Sequence, residues 1–183
     1  MRTAHVWRSA LGRYLAVLAM GSLAWEFAQM PLYTLWRTGS ARDIAFAALH
    51  CAGGDVLIGG ASLAGGLLLF GAASWPHTRF LPVAAAAMAL GLGFTLWIEH
   101  AATARGIWTY SDLMPVVPGL GTGLAPLAQW VVVPALAFAA TRLPLGTERR
   151  PGQAVEALDL PPMAITTSAA EPDHLARITW RAS

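Results

Sequence analysis

Four long apolar stretches, each bracketed by charged residues, are the feature that most constrains how this chain can fold. A helix needs about 20 mostly apolar residues to cross the roughly 30 Å hydrocarbon core of a bilayer, because it rises about 1.5 Å per residue. The stretches that meet this requirement lie at about residues 14–36, 44–73, 80–102 and 123–143. The sequence therefore predicts an all-α fold, a polytopic membrane protein with a four-helix transmembrane bundle over residues 1–143.

The composition supports a membrane environment and argues against nucleic-acid-binding, disulfide-bonded and cysteine-ligated zinc proteins. Only 12% of the residues are charged, against about 25% in a typical soluble domain. The net charge of +2 is small and dispersed, so no nucleic acid is expected as a partner. The lone cysteine, Cys51, excludes an intramolecular disulfide and a cysteine-based zinc site. The lipid bilayer is the partner that the sequence indicates.

The first two stretches leave alternatives open. The first contains the small-residue run Ser22-Leu23-Ala24, as a signal peptide would, but its apolar run continues further and carries Glu26 and Gln29. We therefore interpret it as the first span. The second stretch is about 30 residues long, so it is tilted, preceded by an interfacial turn, or broken into two half-helices at Gly53-Gly54.

Small residues recur at four-residue spacing in the second and third stretches, for example at Ser62/Gly66 and at Ala87/Gly91. Such spacing lets helix backbones approach closely in lipid. We expect these residues to pack inside the bundle, with a homo-oligomer contact as the alternative.

The placement of arginine predicts the orientation, since basic residues flanking short spans favour the cytoplasmic side. With a cytoplasmic N-terminus, seven arginines lie in cytoplasmic segments: Arg2, Arg8, Arg13, Arg79, Arg142, Arg149 and Arg150. Three lie outside: Arg37, Arg42 and Arg105. All basic residues are arginine and alanine is abundant, which indicates a GC-rich bacterial genome. We predict a bacterial inner-membrane protein with both termini cytoplasmic and a disordered, proline-rich tail over residues 144–183.

Polar residues recur at three- and four-residue steps within the predicted first and third helices, a spacing that keeps them on one helix face. The members are Ser22, Glu26, Gln29 and Tyr33 in the first helix, and Thr95, Glu99 and Thr103 in the third. An ionisable group at membrane depth costs about 2.5–3.5 kcal/mol on insertion scales, so it indicates a function by default.

The polar residues of all four predicted helices fall in the same half of the bilayer, which is the periplasmic half in the predicted orientation. The candidates for catalytic or metal-ligating roles are Glu26, His50, Asp55 and Glu99. The candidates for ligand binding are Gln29, Tyr33, His100, Trp108, Tyr110 and Gln129. The apolar, proline-containing loop at about residues 103–122 lies over this cluster. We expect the loop to fold back onto the bundle as a short helix or re-entrant lid.

Four interpretations of the cluster remain open. Its members could join helices through hydrogen bonds worth about 0.6 kcal/mol each in membranes. They could bind zinc or iron, although the histidines lack the HxxxH and HExxH spacings. They could perform acid–base chemistry on a lipid-soluble substrate, or move protons or cations. We predict a polar pocket for a small or lipid-soluble ligand, with transport and an enzyme as alternatives and no cofactor identified.

Three runs carry resemblances to known families: Trp25-Glu-Phe-Ala-Gln-Met-Pro-Leu-Tyr33, His50-Cys-Ala-Gly-Gly-Asp55, and Trp108-Thr-Tyr-Ser-Asp-Leu-Met-Pro115 with Pro126-Leu-Ala-Gln-Trp130. With them the chain resembles a group of small bacterial multi-pass membrane proteins over about residues 14–140, which implies the same fold and no particular activity. It is also similar to membrane lycopene-cyclase domains, which combine proline-rich loop motifs with membrane carboxylates. Pro126-Leu127-Ala128-Gln129 stands where those domains have a Pro-x-Glu-Glu motif.

Overall fold

The protein is all-α in a computed structural model that describes residues 2–143. Its elements are α1 (Arg2–Gln29), a 3-10 turn (Met30–Leu32), α2 (Leu35–Thr38), α3 (Ala41–Phe70), α4 (Phe80–Ala104) and α5 (Leu124–Thr141). Four of these, α1, α3, α4 and α5, are long and apolar enough to cross a membrane. The predicted fold class, a polytopic four-helix bundle, is confirmed. The predicted tail, residues 144–183, lies outside the described residues.

The four long helices form a ring in which each packs against its neighbours in chain order, and α5 closes on α1. Consecutive long helices are antiparallel, as in an up-and-down bundle, because the ends of α1 and α4 meet the first halves of α3 and α5 around one cavity. Large apolar side chains such as Met20, Leu57, Leu68 and Leu81 are exposed on the outside of the ring. Because a soluble protein rarely exposes so much contiguous apolar surface, these side chains mark the face that lipid covers.

Two helix boundaries differ from the predicted spans. Helix α1 begins at Arg2 rather than near Tyr14, because hydropathy detects the residues in lipid and the helix extends beyond them. It ends at Gln29, where Pro31 lacks the amide hydrogen that a further helical turn needs. Helix α3 is continuous from Ala41 to Phe70, so the break considered at Gly53-Gly54 does not occur.

The first turn of α3 is fixed by a capping box between Ser40 and Asp43. The Ser40 hydroxyl accepts a hydrogen bond from the Asp43 amide, and the Asp43 carboxylate accepts one from the Ser40 amide. This arrangement satisfies backbone donors that the helix start leaves free. Asp43 is therefore an exposed structural residue, separate from the cluster predicted inside the membrane.

Helices α3 and α4 are in close backbone contact at one glycine. A Cβ atom built on Gly66 would lie 2.7 Å from the Val83 carbonyl oxygen and 3.3 Å from the Ala87 amide nitrogen. Gly91, which follows Ala87 on the same face of α4, is buried against Trp130 of α5. The rows predicted from Ser62/Gly66 and Ala87/Gly91 thus face the inside of the bundle, where backbones meet.

The two ends of the bundle are built differently. The end that holds the start of α1, which we call the packed end, is filled by aromatic side chains. The rings of Trp7 and Trp75 lie 5.1 Å apart, and Tyr14 and Phe138 lie 4.9 Å apart. The Trp7 indole also donates to the Ala73 carbonyl at 2.8 Å. The other end, where α1 and α4 finish and α3 and α5 begin, carries the polar residues and is called the cavity end.

Candidate functional site

A cavity of about 410 Å³ occupies the cavity end, a volume within the range of small-molecule sites. All four long helices contribute to its wall. Its polar lining is Glu26, Gln29, Tyr33, His50, Cys51, Asp55, Glu99 and Gln129. Its apolar lining is Met30, Leu35, Ala47, Gly54, Ile58, Ile98, Ala102, Ile107, Trp108 and Pro126. The site is therefore two-sided, with clustered polar groups and a larger apolar wall.

A chain of hydrogen bonds links the polar groups of three helices. The Gln29 amide donates to Glu26 Oε1 at 2.9 Å and lies 3.4 Å from Gln129 Oε1. The Gln129 amide donates to Asp55 Oδ2 at 2.5 Å. Glu26, Gln29 and Gln129 are all buried. Hydrogen bonds to a carboxyl group in a dry site are stronger than in water, so this chain holds α1, α3 and α5 in register around the cavity.

Glu99 reaches the cavity from α4 and is held separately. The Tyr110 hydroxyl donates to the Glu99 carboxyl group and accepts a hydrogen bond from the Gly123 amide at 3.0 Å. Burial raises the pKa of Tyr110 above its usual value, and the bond to Glu99 raises it further. Burial, followed by the Glu99 charge, also raises the pKa of Tyr33. Both phenols therefore remain protonated, and the Tyr110 hydroxyl acts as a donor to Glu99.

The segment between α4 and α5, residues 105–123, covers this end of the bundle without forming a helix. It pairs with the segment after α1 through an antiparallel bridge between Tyr33 and Tyr110. The Thr34 amide donates to the Thr109 carbonyl at 3.0 Å, and the Ser111 amide donates to the Leu32 carbonyl at 2.9 Å. These bonds place Trp108 in the cavity wall. The lid-like loop predicted from the sequence is extended and turn-rich rather than helical.

The Gly119-Leu-Gly-Thr-Gly123 run forms a tight turn within this segment. Gly119 and Gly121 have φ angles of 82° and 65°, which favour glycine. The Val117 amide donates to the Thr122 carbonyl at 2.9 Å and closes the turn. The run thus shapes the loop that precedes α5.

Two polar atoms at the cavity have no hydrogen-bond partner. Gln29 Oε1 is buried without a donor, in a side chain that is only 5% exposed. Trp108 Nε1 is also buried, and it lies toward Glu99 without a partner in hydrogen-bonding geometry. An unpaired buried polar group costs about 1–3 kcal/mol. A ligand that carries a donor would satisfy Gln29 Oε1, whereas the Trp108 indole already lies toward the Glu99 carboxyl group.

The charges around the cavity are one-sided. Glu26, Asp55 and Glu99 contribute three carboxyl groups, and no arginine is among the lining residues. His50 lines the mouth, where its side chain is exposed and stacks on Phe46. Within residues 2–143, no three His, Cys, Asp or Glu side chains converge closely enough to hold a metal ion.

The structure brings most of the predicted candidates together. Eight of them line the cavity: Glu26, Gln29, Tyr33, His50, Asp55, Glu99, Trp108 and Gln129. Tyr110 lies behind the wall and contacts the site through Glu99. His100 is exposed and does not line the cavity, because one helical step rotates it about 100° from Glu99.

Sequence reasoning missed the apolar wall. Ile58 and Ile98 face the cavity, but in an apolar helix nothing in the sequence distinguishes them from residues that face lipid. Ile107 depends on the path of a loop that sequence periodicity does not describe. Cys51 carried a signal, since it lies one turn before Asp55 and so shares part of its helix face.

Comparison with known proteins gave no relatives: no family model matches this sequence, and no curated protein or solved structure matches it. The cavity itself therefore carries the information about function.

Proposed function

We propose that this multi-pass membrane protein binds a small ligand that carries a protonated amino group, and that the ligand occupies the cavity beside Glu26, Asp55 and Glu99. The observation that carries the proposal is the composition of the wall, in which three carboxyl groups meet no arginine. An ammonium group offers three donors and one positive charge. It can therefore satisfy carboxyl oxygens and the unpartnered Gln29 Oε1 together.

The proposed binding is specific because the polar groups are held before the ligand arrives. The Glu26 and Asp55 carboxyl groups are neighbours, and Gln29 and Gln129 orient them. Glu99 is oriented by Tyr110. A preorganised site loses less entropy on binding than one that must assemble. Trp108 adds an aromatic surface that favours cations.

The proposal includes a location. Seven arginines against three in the flanking segments support a cytoplasmic N-terminus, and the all-arginine, alanine-rich composition supports a bacterial protein; in the inner membrane the cavity then faces the periplasm. Reporters inserted after Arg79 and within residues 105–123 test this orientation. The first reporter should read cytoplasmic and the second periplasmic. The opposite pattern would mean that the cavity faces the cytoplasm.

Cys51 offers a direct test of the charge in the cavity, because it is the only cysteine of the chain and lines the cavity within the field of all three carboxyl groups. We would compare its rates of modification by a cationic trimethylammonium methanethiosulfonate and an anionic sulfonate methanethiosulfonate. One unit charge about 8 Å away contributes roughly 2 kcal/mol at an effective dielectric constant of about 20. The cationic reagent should therefore react about 30-fold faster or more.

The matched variants are Glu26→Gln, Glu99→Gln and Asp43→Asn. The first two remove a carboxyl group from the cavity, and by the same Coulomb estimate each should lower the cation-to-anion rate ratio about 30-fold or more. Asp43→Asn removes one from the exposed start of α3 and should leave the ratio nearly unchanged. A wild-type ratio close to that of a free thiol, or equal losses in all three variants, would refute the proposal.

A second candidate function is the movement of protons or small cations. It is favoured by the hydroxyl groups of Ser22 and Thr95, which are buried one helical turn from Glu26 and Glu99 on the side of the packed end. Thr95 Oγ1 has no hydrogen-bond partner. These groups extend the polar surface beyond the cavity, as a proton path requires.

A further inference from the structure

Helix α4 covers α3 unevenly along its length. At Gly66 the two backbones touch, and a Cβ atom on Gly65 would lie 2.9 Å from Leu90. Three turns earlier in α3, a Cβ atom on Gly54 would meet nothing within 4 Å. Gly54 nevertheless lines the cavity and is partly exposed. Helix α4 therefore covers α3 closely near the packed end and leaves Gly54 uncovered at the cavity.

The residues that face this opening are apolar. Gly54 and Ile58 line it from α3, and Ile98 and Ala102 line it from α4. The hydrogen-bonded chain of Glu26, Gln29, Gln129 and Asp55 joins the walls that α1, α5 and α3 contribute. The hydrogen-bonded groups of α1 and α5 thus meet Asp55 of α3, while Gly54, Ile58, Ile98 and Ala102 form an apolar part of the wall on α3 and α4.

The outer surface beside the opening is also apolar. Leu57 of α3 is 76% exposed and Trp97 of α4 is 61% exposed. Phe94 packs beside Trp97, with ring centroids 5.4 Å apart. All three lie on helices that cross the membrane, so hydrocarbon chains contact them. The apolar part of the cavity wall and these lipid-exposed side chains therefore lie on the same two helices.

We infer that the ligand is a single-chain amphiphile, an alkylamine in its simplest form, and that its alkyl chain passes between α3 and α4 while its ammonium group binds the carboxyl groups. This inference rests on the proposed function, which supplies the ammonium group. The apolar wall beside the uncovered Gly54 indicates that the ligand also has an alkyl chain, and that it enters between α3 and α4. Ligand reaches the site from the bilayer, and its chain remains against Gly54 and Ile98 once the head group is bound.

The test uses two probes that share a head group and differ in chain length, butylamine and dodecylamine. Each is added to the protein in phospholipid nanodiscs, and the readout is protection of Cys51 from alkylation by N-ethylmaleimide. Gly54→Leu places a side chain in the opening. Gly53→Leu is the matched control, because Gly53 also has open space at its Cβ position but is exposed and does not line the cavity. For each variant, protection is measured relative to the rate at which its own Cys51 is alkylated without amine.

We expect dodecylamine to protect wild type at a lower concentration than butylamine. Gly54→Leu should raise the half-protecting concentration of dodecylamine about tenfold, the effect of excluding roughly two methylene groups from an apolar site. The same variant should change the value for butylamine less than about twofold, and Gly53→Leu should change neither. A weaker helix is not expected in either variant, because leucine favours a helix more than glycine does.

The outcomes separate the two proposals. If neither amine protects Cys51 in wild type, the proposed function itself fails. If both amines protect but Gly54→Leu affects them equally, or if dodecylamine binds no more tightly than butylamine, amine binding stands and the lateral route is refuted. If Gly53→Leu weakens dodecylamine as much as Gly54→Leu does, the chain does not lie between α3 and α4, and the inference is overturned.

Discussion

Replacing Gly66 by alanine should separate α3 from α4, whereas the same change at Gly60 should not. A Cβ atom at position 66 would lie 2.7 Å from the Val83 carbonyl oxygen, whereas ordinary Cβ contacts begin at 3.4 Å. The helices would have to move apart by roughly 0.7 Å, since the obstacle is backbone and cannot rotate away. A Cβ atom at Gly60 would meet nothing within 4 Å.

The magnitude follows from two opposing effects. Alanine favours a helix over glycine by about 1 kcal/mol, and this gain applies to both variants. Overpacking a tight contact costs about 1–3 kcal/mol, and this loss applies only to Gly66→Ala. We therefore expect Gly60→Ala to raise the free energy of unfolding by about 1 kcal/mol. Gly66→Ala should leave it unchanged or lower it by as much as about 2 kcal/mol.

The assay is reversible unfolding in mixed detergent micelles, followed by circular dichroism on both variants and wild type. The decisive quantity is the difference between the two variants, because the helix-propensity gain cancels. A difference of about 1–3 kcal/mol supports the close contact at Gly66. Equal shifts for the two variants would refute the packing described for α3 and α4, and with it the difference in packing between Gly66 and Gly54.

Three further predictions concern the cavity end. Tyr110→Phe removes the hydroxyl that joins Glu99 to the Gly123 amide, so it should lower the free energy of unfolding by about 1–3 kcal/mol; an unchanged denaturation midpoint would contradict that role. Because the pKa values of Tyr33 and Tyr110 are raised in the folded state, ultraviolet titration should show both phenols ionising above the normal range near pH 10. Stability from this difference is present below pH 10 and is lost as pH rises above it, and normal tyrosine titration in the folded protein would argue against burial. If the protein moves protons, Glu26→Gln should abolish flux in liposomes, and identical flux in wild type and variant would remove that candidate function.

The four spans and the depth of the polar residues were predictable from sequence because both depend on distance along a helix. Glu26 and Glu99 lie near the ends of α1 and α4, Gln129 lies near the start of α5, and Asp55 lies at the middle of the longer α3. Because neighbouring helices are antiparallel, the four residues lie at a similar depth in the bundle. No loop geometry is needed for that conclusion.

The parts that were not predictable depend on rotation and on loop paths. His100 follows Glu99 directly, yet a single step turns it out of the site. The backbone pairing of Thr34 with Thr109 is a contact between distant segments, and it determines where Trp108 lies. The start of α1 at Arg2 was missed because the polar first turns of a helix have no hydropathy signal.

The contact at Gly66 also gives α3 the mechanics of a lever. Twelve residues separate Gly66 from Gly54 in one unbroken helix, a distance of about 18 Å at 1.5 Å per residue. A tilt of about 5° around this fulcrum would displace Gly54 by about 1.6 Å and would strain the bond between Asp55 and Gln129 before any bond within α3. The width of the opening can therefore be adjusted without breaking a hydrogen bond within the helix, and bilayer thickness or lateral pressure becomes a variable that sets how easily the site is reached.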